Sequence, residues 1–163
     1  MFAAAAAIPL LKTENANAAK YGGLGAGSPN VLDPKDAIVD EDVLKSGPVQ
    51  DALNKVKGYR DLAAELLSTL EKDAQADLGP IIRKKLDFVE VRQALNTLNG
   101  AYDEDTQRGT DRLIRLVMQD ITELETANRQ KDGVARSDRR LGIMKGKLDK
   151  LSQSFDEFLA FSK

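Results

Sequence analysis

The chain reads as all-α: an up-down-up-down antiparallel four-helix bundle behind an extended N-terminal arm. Three observations predict this. From Ser46 to the C-terminus, apolar residues recur at three and four positions, the period of amphipathic helices. The periodic stretches are long and separated by short Gly-, Pro- or Asn-bearing breaks, and short links make neighbouring helices antiparallel. No stretch alternates apolar and polar residues convincingly enough to propose a strand.

The N-terminus reads as a targeting segment, residues 1–18. "FAAAAAIPLL" (Phe2 to Leu11) is apolar and about ten residues long, the size of a signal-peptide core and too short to cross a bilayer. "ANA" (Ala16, Asn17, Ala18) supplies the small residues a signal peptidase reads, so cleavage is expected after Ala18, leaving Ala19-Lys20-Tyr21. No basic region precedes Phe2, which points to a truncated gene model or to a transit segment upstream. An Ala-rich helix of the fold is the alternative, but Pro9 interrupts it and no polar face accompanies the alanines.

Residues 19–45 read as the arm. "YGGLGAGSPNVLDPKD" holds four glycines and two prolines without a period, and "DAIVDED" adds acidic charge. Tyr21, Leu24, Val31, Leu32, Ile38 and Val39 are too apolar for a free linker. The arm therefore lies along the domain or orders on a partner; the docking mechanism inferred here takes the second course, with the arm from Tyr21 to Asp42 ordering on binding.

The bundle spans 46–163. Ser46 and Pro48 open a first helix with the stripe Val49, Leu53, Val56, Ala63, Leu66, Leu67, Leu70 and Ala74, running to about Asp77. "LGP" (Leu78 to Pro80) ends it, with a left-handed glycine cap expected at Gly79. A second helix carries Ile81, Ile82, Leu86, Val89, Leu95 and Leu98 up to Asn99-Gly100. "DEDT" (Asp103 to Thr106) opens a third, whose stripe is Leu113, Leu116, Val117, Ile121 and Leu124, ending near Arg129. After the loop "KDGVARS", Ser137 caps a fourth, carrying Leu141, Met144, Leu148, Leu151, Phe155, Phe158 and Leu159. Gly142 and Gly146 inside that helix either permit close helix approach or simply weaken it.

Composition excludes several chemistries. The 163 residues suit one domain with a real core, and the formal charge of -2 argues against nucleic acid as a partner. There is no Cys and no His, so Ser-His and Cys-His catalysis, thiolate metal sites and di-iron Glu-x-x-His bundles are absent. Few groups then titrate between about pH 7 and 5.5, so surface charge should hold steady there. Asp103 and Asp105 look like the start of a calcium loop, but Arg108 stands where that loop needs Gly and no Glu follows at its twelfth position. An acidic helix start is the plainer reading. Glu123 and Glu125 fall on different faces and make no acid–base pair. "GGLGAG" (Gly22 to Gly27) lacks the Gly-Lys-Ser/Thr ending and the preceding strand of a phosphate loop. No catalytic, cofactor or metal residue is assigned; an enzyme working with carboxylates and lysines alone would need a cleft with a strongly shifted Asp or Glu.

Basic residues cluster. Arg83, Lys84 and Lys85 lie early in the second helix. Arg129, Lys131, Arg136, Arg139, Arg140, Lys145, Lys147 and Lys150 populate the turn before the fourth helix and its first half. They form either a solvated face or a docking patch for an acidic partner surface.

"AKYGGLGAGSPNVLDPKDA", "QADLGPIIRKKLDF" and "DEDTQRGTDRLIRLVMQDITELE" resemble the PsbQ-like extrinsic proteins of photosystem II in red-lineage algae, such as red algae and diatoms. The likeness covers essentially all of the expected mature chain and is anchored in no catalytic motif; a related diatom extrinsic bundle is a close competitor. The resemblance implies a non-catalytic subunit in the chloroplast thylakoid lumen. Such a subunit is peripheral on the membrane without a transmembrane span. It touches the photosystem II core and other extrinsic subunits, and it stabilises the water-oxidising complex and its calcium and chloride retention. Docking is then assigned to Arg83, Lys84, Lys85, Arg136, Arg139 and Arg140, and to Tyr21 and Leu24 of the arm. A generic exported helical binding module, a sensor or chaperone domain, is the alternative and would need a ligand cavity.

Overall fold

The computed structural model describes residues 30–131 and 133–163. The targeting segment, Tyr21 and Leu24 lie outside the described residues. Within them the chain is all-helical, with six α-helices and no strand. They are α1 (Glu41–Leu44), α2 (Gly47–Lys72), α3 (Gly79–Lys85), α4 (Phe88–Asn99), α5 (Glu104–Asn128) and α6 (Asp138–Leu159). No described helix is long and apolar enough to cross a membrane.

The four longer helices share one core. α6 packs on α2 and on α5, and α4 also packs on both. Polar pairs give the directions. Along the α5–α6 seam, Lys147 pairs with Glu123 and Lys150 with Asp120, so one helix ascends as the other descends. On the α2–α6 seam, Arg136 just before α6 reaches the end of α2, whereas Phe155 near the end of α6 stacks on Tyr59, ring centroids 6.3 Å apart. The stripe residues Val56, Leu66, Leu70, Leu95, Leu98, Leu124, Met144, Leu148, Phe155 and Phe158 are all essentially sealed from solvent. Each such side chain contributes about 1.5–3 kcal/mol relative to exposure. Asp120 is equally sealed, with Lys150 Nζ 3.1 Å from its Oδ1 and the Ser154 hydroxyl 3.4 Å from Oδ2. A buried carboxylate is stable only beside such partners, and this one ties the register of α5 to that of α6.

The structure corrects three boundaries. First, α2 stops at Lys72, not near Asp77. Asp73 takes an extended backbone (φ −136°, ψ 99°) and its Oδ1 accepts the Gln75 N–H at 2.8 Å, a local turn that competes with the helix. Second, the stretch after Pro80 is two helices. Leu86 leaves helical geometry (φ −113°, ψ 41°), and the Asp87 carboxylate caps a new helix by accepting the Val89 and Glu90 N–H groups at 3.0 Å each. The buried stripe shifts from Ile82 and Leu86 to Val91, Ala94, Leu95 and Leu98, leaving Ile81 and Val89 outside. Third, Gly79 is no left-handed cap. It is buried as the first residue of α3, and a Cβ there would meet Asp77 Oδ1 at 3.0 Å and Asn128 Nδ2 at 3.1 Å.

From residue 30 to 45 the arm lies along the domain. The Val31 N–H donates to the Asp105 carbonyl (3.1 Å), Asp103 N–H to Ile38 carbonyl (3.0 Å) and Asp40 N–H to Ala101 carbonyl (2.8 Å). Val39 pairs with Tyr102 in a single antiparallel bridge. The fully buried Thr106 accepts the Ile38 N–H at 3.2 Å on its hydroxyl. Val31, Ala37, Val39 and Leu44 pack against the core. One glycine makes this possible: at Gly109 inside α5 an added Cβ would overlap the Val31 carbonyl, lying 2.7 Å from its carbon. So this half of the arm is a strap built into the fold, and the expectation that the arm through Asp42 orders only on a partner is corrected for residues 30–42. By contrast, a Cβ on Gly142 or Gly146 would meet nothing within 4 Å, so these residues only weaken α6.

Candidate docking surface

The basic residues gather at the end of the molecule opposite the strap, where α2 and α5 finish and α6 begins. Two connections meet there and are knotted by side chains. The Gln75 carboxamide accepts the Arg136 N–H (2.6 Å) and donates to the Arg136 carbonyl (3.2 Å). The Arg136 guanidinium donates to the Ala74 carbonyl (2.6 Å), the Ala76 carbonyl (3.0 Å) and Asn128 Oδ1 (3.4 Å). Asn128 in turn accepts the Leu78 N–H (3.1 Å) and donates to Asp77 Oδ1 (2.9 Å), which also accepts the Gly79 N–H (2.9 Å). The Asn128 and Gly79 donors hold the Asp77 carboxyl below the ordinary aspartate range, with Arg83 and Arg136 adding to the effect. Gly133 turns the α5–α6 connection with φ +74°, the left-handed conformation glycine adopts freely.

This knot decides which predicted docking residues are free. Arg136 is 5% exposed and spends its donors inside the protein. It fixes the shape of the surface and is unavailable to a partner, a correction to its docking assignment. Arg83 is exposed and lines a groove of about 610 Å³ with Arg129 and Lys131, opposed by Asp77 and Glu125. Arg139 and Arg140, exposed in the first turn of α6, border a second groove of about 550 Å³ over Ala127 and Ile143. Lys147 closes that groove but is already paired with Glu123. The pairing, together with the Gln119 amide, holds Glu123 below its ordinary range. Lys84 and Lys85 line neither groove; Lys85 shares another with Tyr59, Asp61, Leu62 and Glu65 of α2. The predicted patch is thus split: Arg83, Arg139 and Arg140 border the two grooves at the knotted end, and Lys84 and Lys85 line neither of them.

Among the described residues, no acidic side chain lies within ion-pair distance of Arg83, Arg129, Lys131, Arg139 or Arg140. Ion pairs concentrate elsewhere: Arg108 with Glu104 and Asp105, Lys45 with Glu41, Lys150 with Asp120. Unpaired, exposed arginines can form bidentate bonds to a partner's carboxylates without first breaking an internal bridge.

The acidic start of α5 is a helix cap. Asp103 accepts the Thr106 N–H at 3.1 Å and Asp105 pairs with Arg108 at 2.8 Å. The Thr106 hydroxyl and amide hold Asp103 below its ordinary range. No group of three or more acidic side chains placed to hold a metal ion occurs among the described residues.

Clustering in the sequence singled out Arg83, Arg139 and Arg140, which the structure leaves exposed and without an ion pair among the described residues. It missed Gln75, Asp77 and Asn128, which build the surface from beneath. Comparison with protein-family models, curated proteins and solved structures finds no match to this chain.

Proposed function

We propose that the chain is a non-catalytic extrinsic subunit of photosystem II, seated on its lumenal side, where it steadies the water-oxidising complex and its calcium and chloride. On this reading the long helices form the up-down-up-down antiparallel four-helix bundle, and the protein works in the chloroplast thylakoid lumen after cleavage at Ala18. The observation that carries the reading is how the PsbQ-like stretches meet in space. Residues 30–37 of the first stretch bind residues 105–109 of the third, through the Val31 amide on Asp105 and the Val31 carbonyl over Gly109. In the second stretch, Asp77 and Leu78 bond Asn128, three residues beyond the third. The resembling segments are therefore the joints of this fold.

Docking is assigned to the unpaired Arg83, Arg139 and Arg140, with Arg129 and Lys131 in support, against carboxylates of the photosystem core or of another extrinsic subunit. Electrostatic docking of this kind accelerates association and weakens with salt. The test is a high-salt wash of thylakoid membranes from the source organism. The chain should come off, oxygen release should fall at low calcium and chloride, and re-addition should restore it. A chain that fractionates elsewhere, or whose re-addition changes nothing, rejects the proposal.

A further inference from the structure

We propose that the corner between α3 and α4 is a lipid-contact edge that rests on anionic headgroups. The helix break sets the geometry. Leu86 is buried at the break and the Asp87 carboxylate caps the restarted helix, which fixes where the first turn of α4 begins. The shift in the buried stripe pushes Phe88 and Val89 outward, 43% and 70% exposed, with Ile81 at 36% on the preceding helix. No other stretch of the described chain exposes three bulky apolar residues within nine positions of each other.

Cations surround these tips. Lys84, Lys85 and Arg92 are exposed, and none has a carboxylate within ion-pair distance among the described residues. The acids of the stretch are Asp87 and Glu90, and Asp87 Oδ1 is occupied by two backbone amides; Asp61 and Glu65 of α2 share a groove with Lys85 and Lys55, outside ion-pair distance of Lys85. Apolar tips among unpaired cations match the boundary of an anionic bilayer. Aromatic and aliphatic ends enter the acyl layer, and lysine and arginine stay with the phosphates. Phe88, Val89 and Arg92 line one shallow groove of about 520 Å³ with Gln93, Asn96 and Thr97; an acidic protein surface would satisfy the cations alone, whereas a bilayer boundary takes the apolar side chains and the cations together.

Placement keeps the α4 part of this edge apart from Arg139 and Arg140, while Arg83 lies between the two surfaces. α4 and α6 each pack on both α2 and α5, so they stand on opposite sides of the core. The edge on α4 faces away from the helix that carries Arg139 and Arg140. The inference accounts for Lys84 and Lys85, which line neither groove of the knotted end, and it stands whether or not the photosystem reading holds.

The chain has no Trp, so Phe88→Trp introduces a single indole reporter at an exposed position. With vesicles of phosphatidylcholine and phosphatidylglycerol, its emission should shift to the blue and the protein should co-sediment; vesicles of phosphatidylcholine alone should give neither. Adding Lys84→Glu and Lys85→Glu should weaken partition by roughly tenfold or more. Val89→Asp should weaken it in the otherwise unaltered chain. Arg139→Glu with Arg140→Glu should leave it unchanged. Circular dichroism of each variant confirms the helical fold. The proposal is overturned by an unshifted indole on mixed vesicles, by an equal loss from the Arg139 and Arg140 reversal, or by binding confined to native membranes and abolished when their proteins are shaved with protease.

Discussion

The two ends of this molecule solve one problem in opposite ways. At the strap end, an acidic segment (Asp33, Asp36, Asp40, Glu41, Asp42) is held by its backbone: amides and carbonyls bond α5 and the α4–α5 turn, and Gly109 makes the room. At the knotted end, side chains hold backbone: Gln75, Asn128 and Arg136 bond the carbonyls and amides of two connections. Charge follows from this. Acids at the strap end cap helices or pair with Lys35, Lys45 and Arg108. At the other end a single arginine is buried, and its exposed basic neighbours stay unpaired. Backbone-held segments tolerate changes of side chain; side-chain-held ones do not.

That contrast can be broken at chosen residues. The largest effect is expected from Arg136→Ala, which strips donors from the Ala74 and Ala76 carbonyls in a buried site. About 3–4 kcal/mol should be lost in urea unfolding, with the α2–α3 turn becoming sensitive to protease. Gly109→Ala comes next. Relief of glycine's helix cost favours the variant by about 1 kcal/mol, yet its methyl meets backbone that cannot rotate away. A net loss of about 2 kcal/mol is expected, with new proteolysis confined to residues 30–45. Tyr102→Phe removes the hydroxyl bond to Ser162 (2.5 Å), which ties the strap end to the chain terminus, and should cost about 1 kcal/mol. Gly142→Ala and Gly146→Ala should each stabilise by about 0.5–1 kcal/mol, because nothing opposes the new methyl.

Acid should act on both ends together. Asp77, Asp103 and Glu123 are each held below their ordinary range. A depressed carboxyl stabilises the fold fully above its unfolded pKa and loses that contribution as pH falls through its folded value. Thermal midpoints should therefore stay flat from about pH 8 down to about pH 5.5 and decline below about pH 4. A decline beginning near pH 6 would point to a group outside this set.

The helices were legible because their stripes are long: Val49 to Leu70, Leu113 to Leu124 and Met144 to Leu159 each repeat the 3.6 period several times. Two breaks were not. The Asp73 turn and the Asp87 cap each depend on one carboxylate outcompeting helix propensity, and Leu, Lys and Phe around Asp87 give no warning. The apolar residues of the arm, Val31 and Val39 among them, marked it as no free linker but could not say whether it lies on its own domain or on a partner, because its hold is backbone to backbone and leaves no trace in side-chain pattern. The clue to where it lies was Gly109, a glycine inside an otherwise strong helix. At the docking surface, clustering identified basic residues but could not sort them. Arg136 and Arg139 differ by three positions in sequence, and only the packing shows that one is buried and the other free.

The central claim is that the exposed, unpaired arginines at the knotted end seat this protein on its partner. The direct measurement is rebinding to salt-washed photosystem II membranes at low ionic strength, comparing the natural chain with Arg139→Glu/Arg140→Glu. Two such reversals at exposed contacts should weaken rebinding by roughly tenfold or more and flatten its salt dependence, with helicity and thermal midpoint unchanged. Equal rebinding by both forms would contradict the account and leave these arginines as solvated charges.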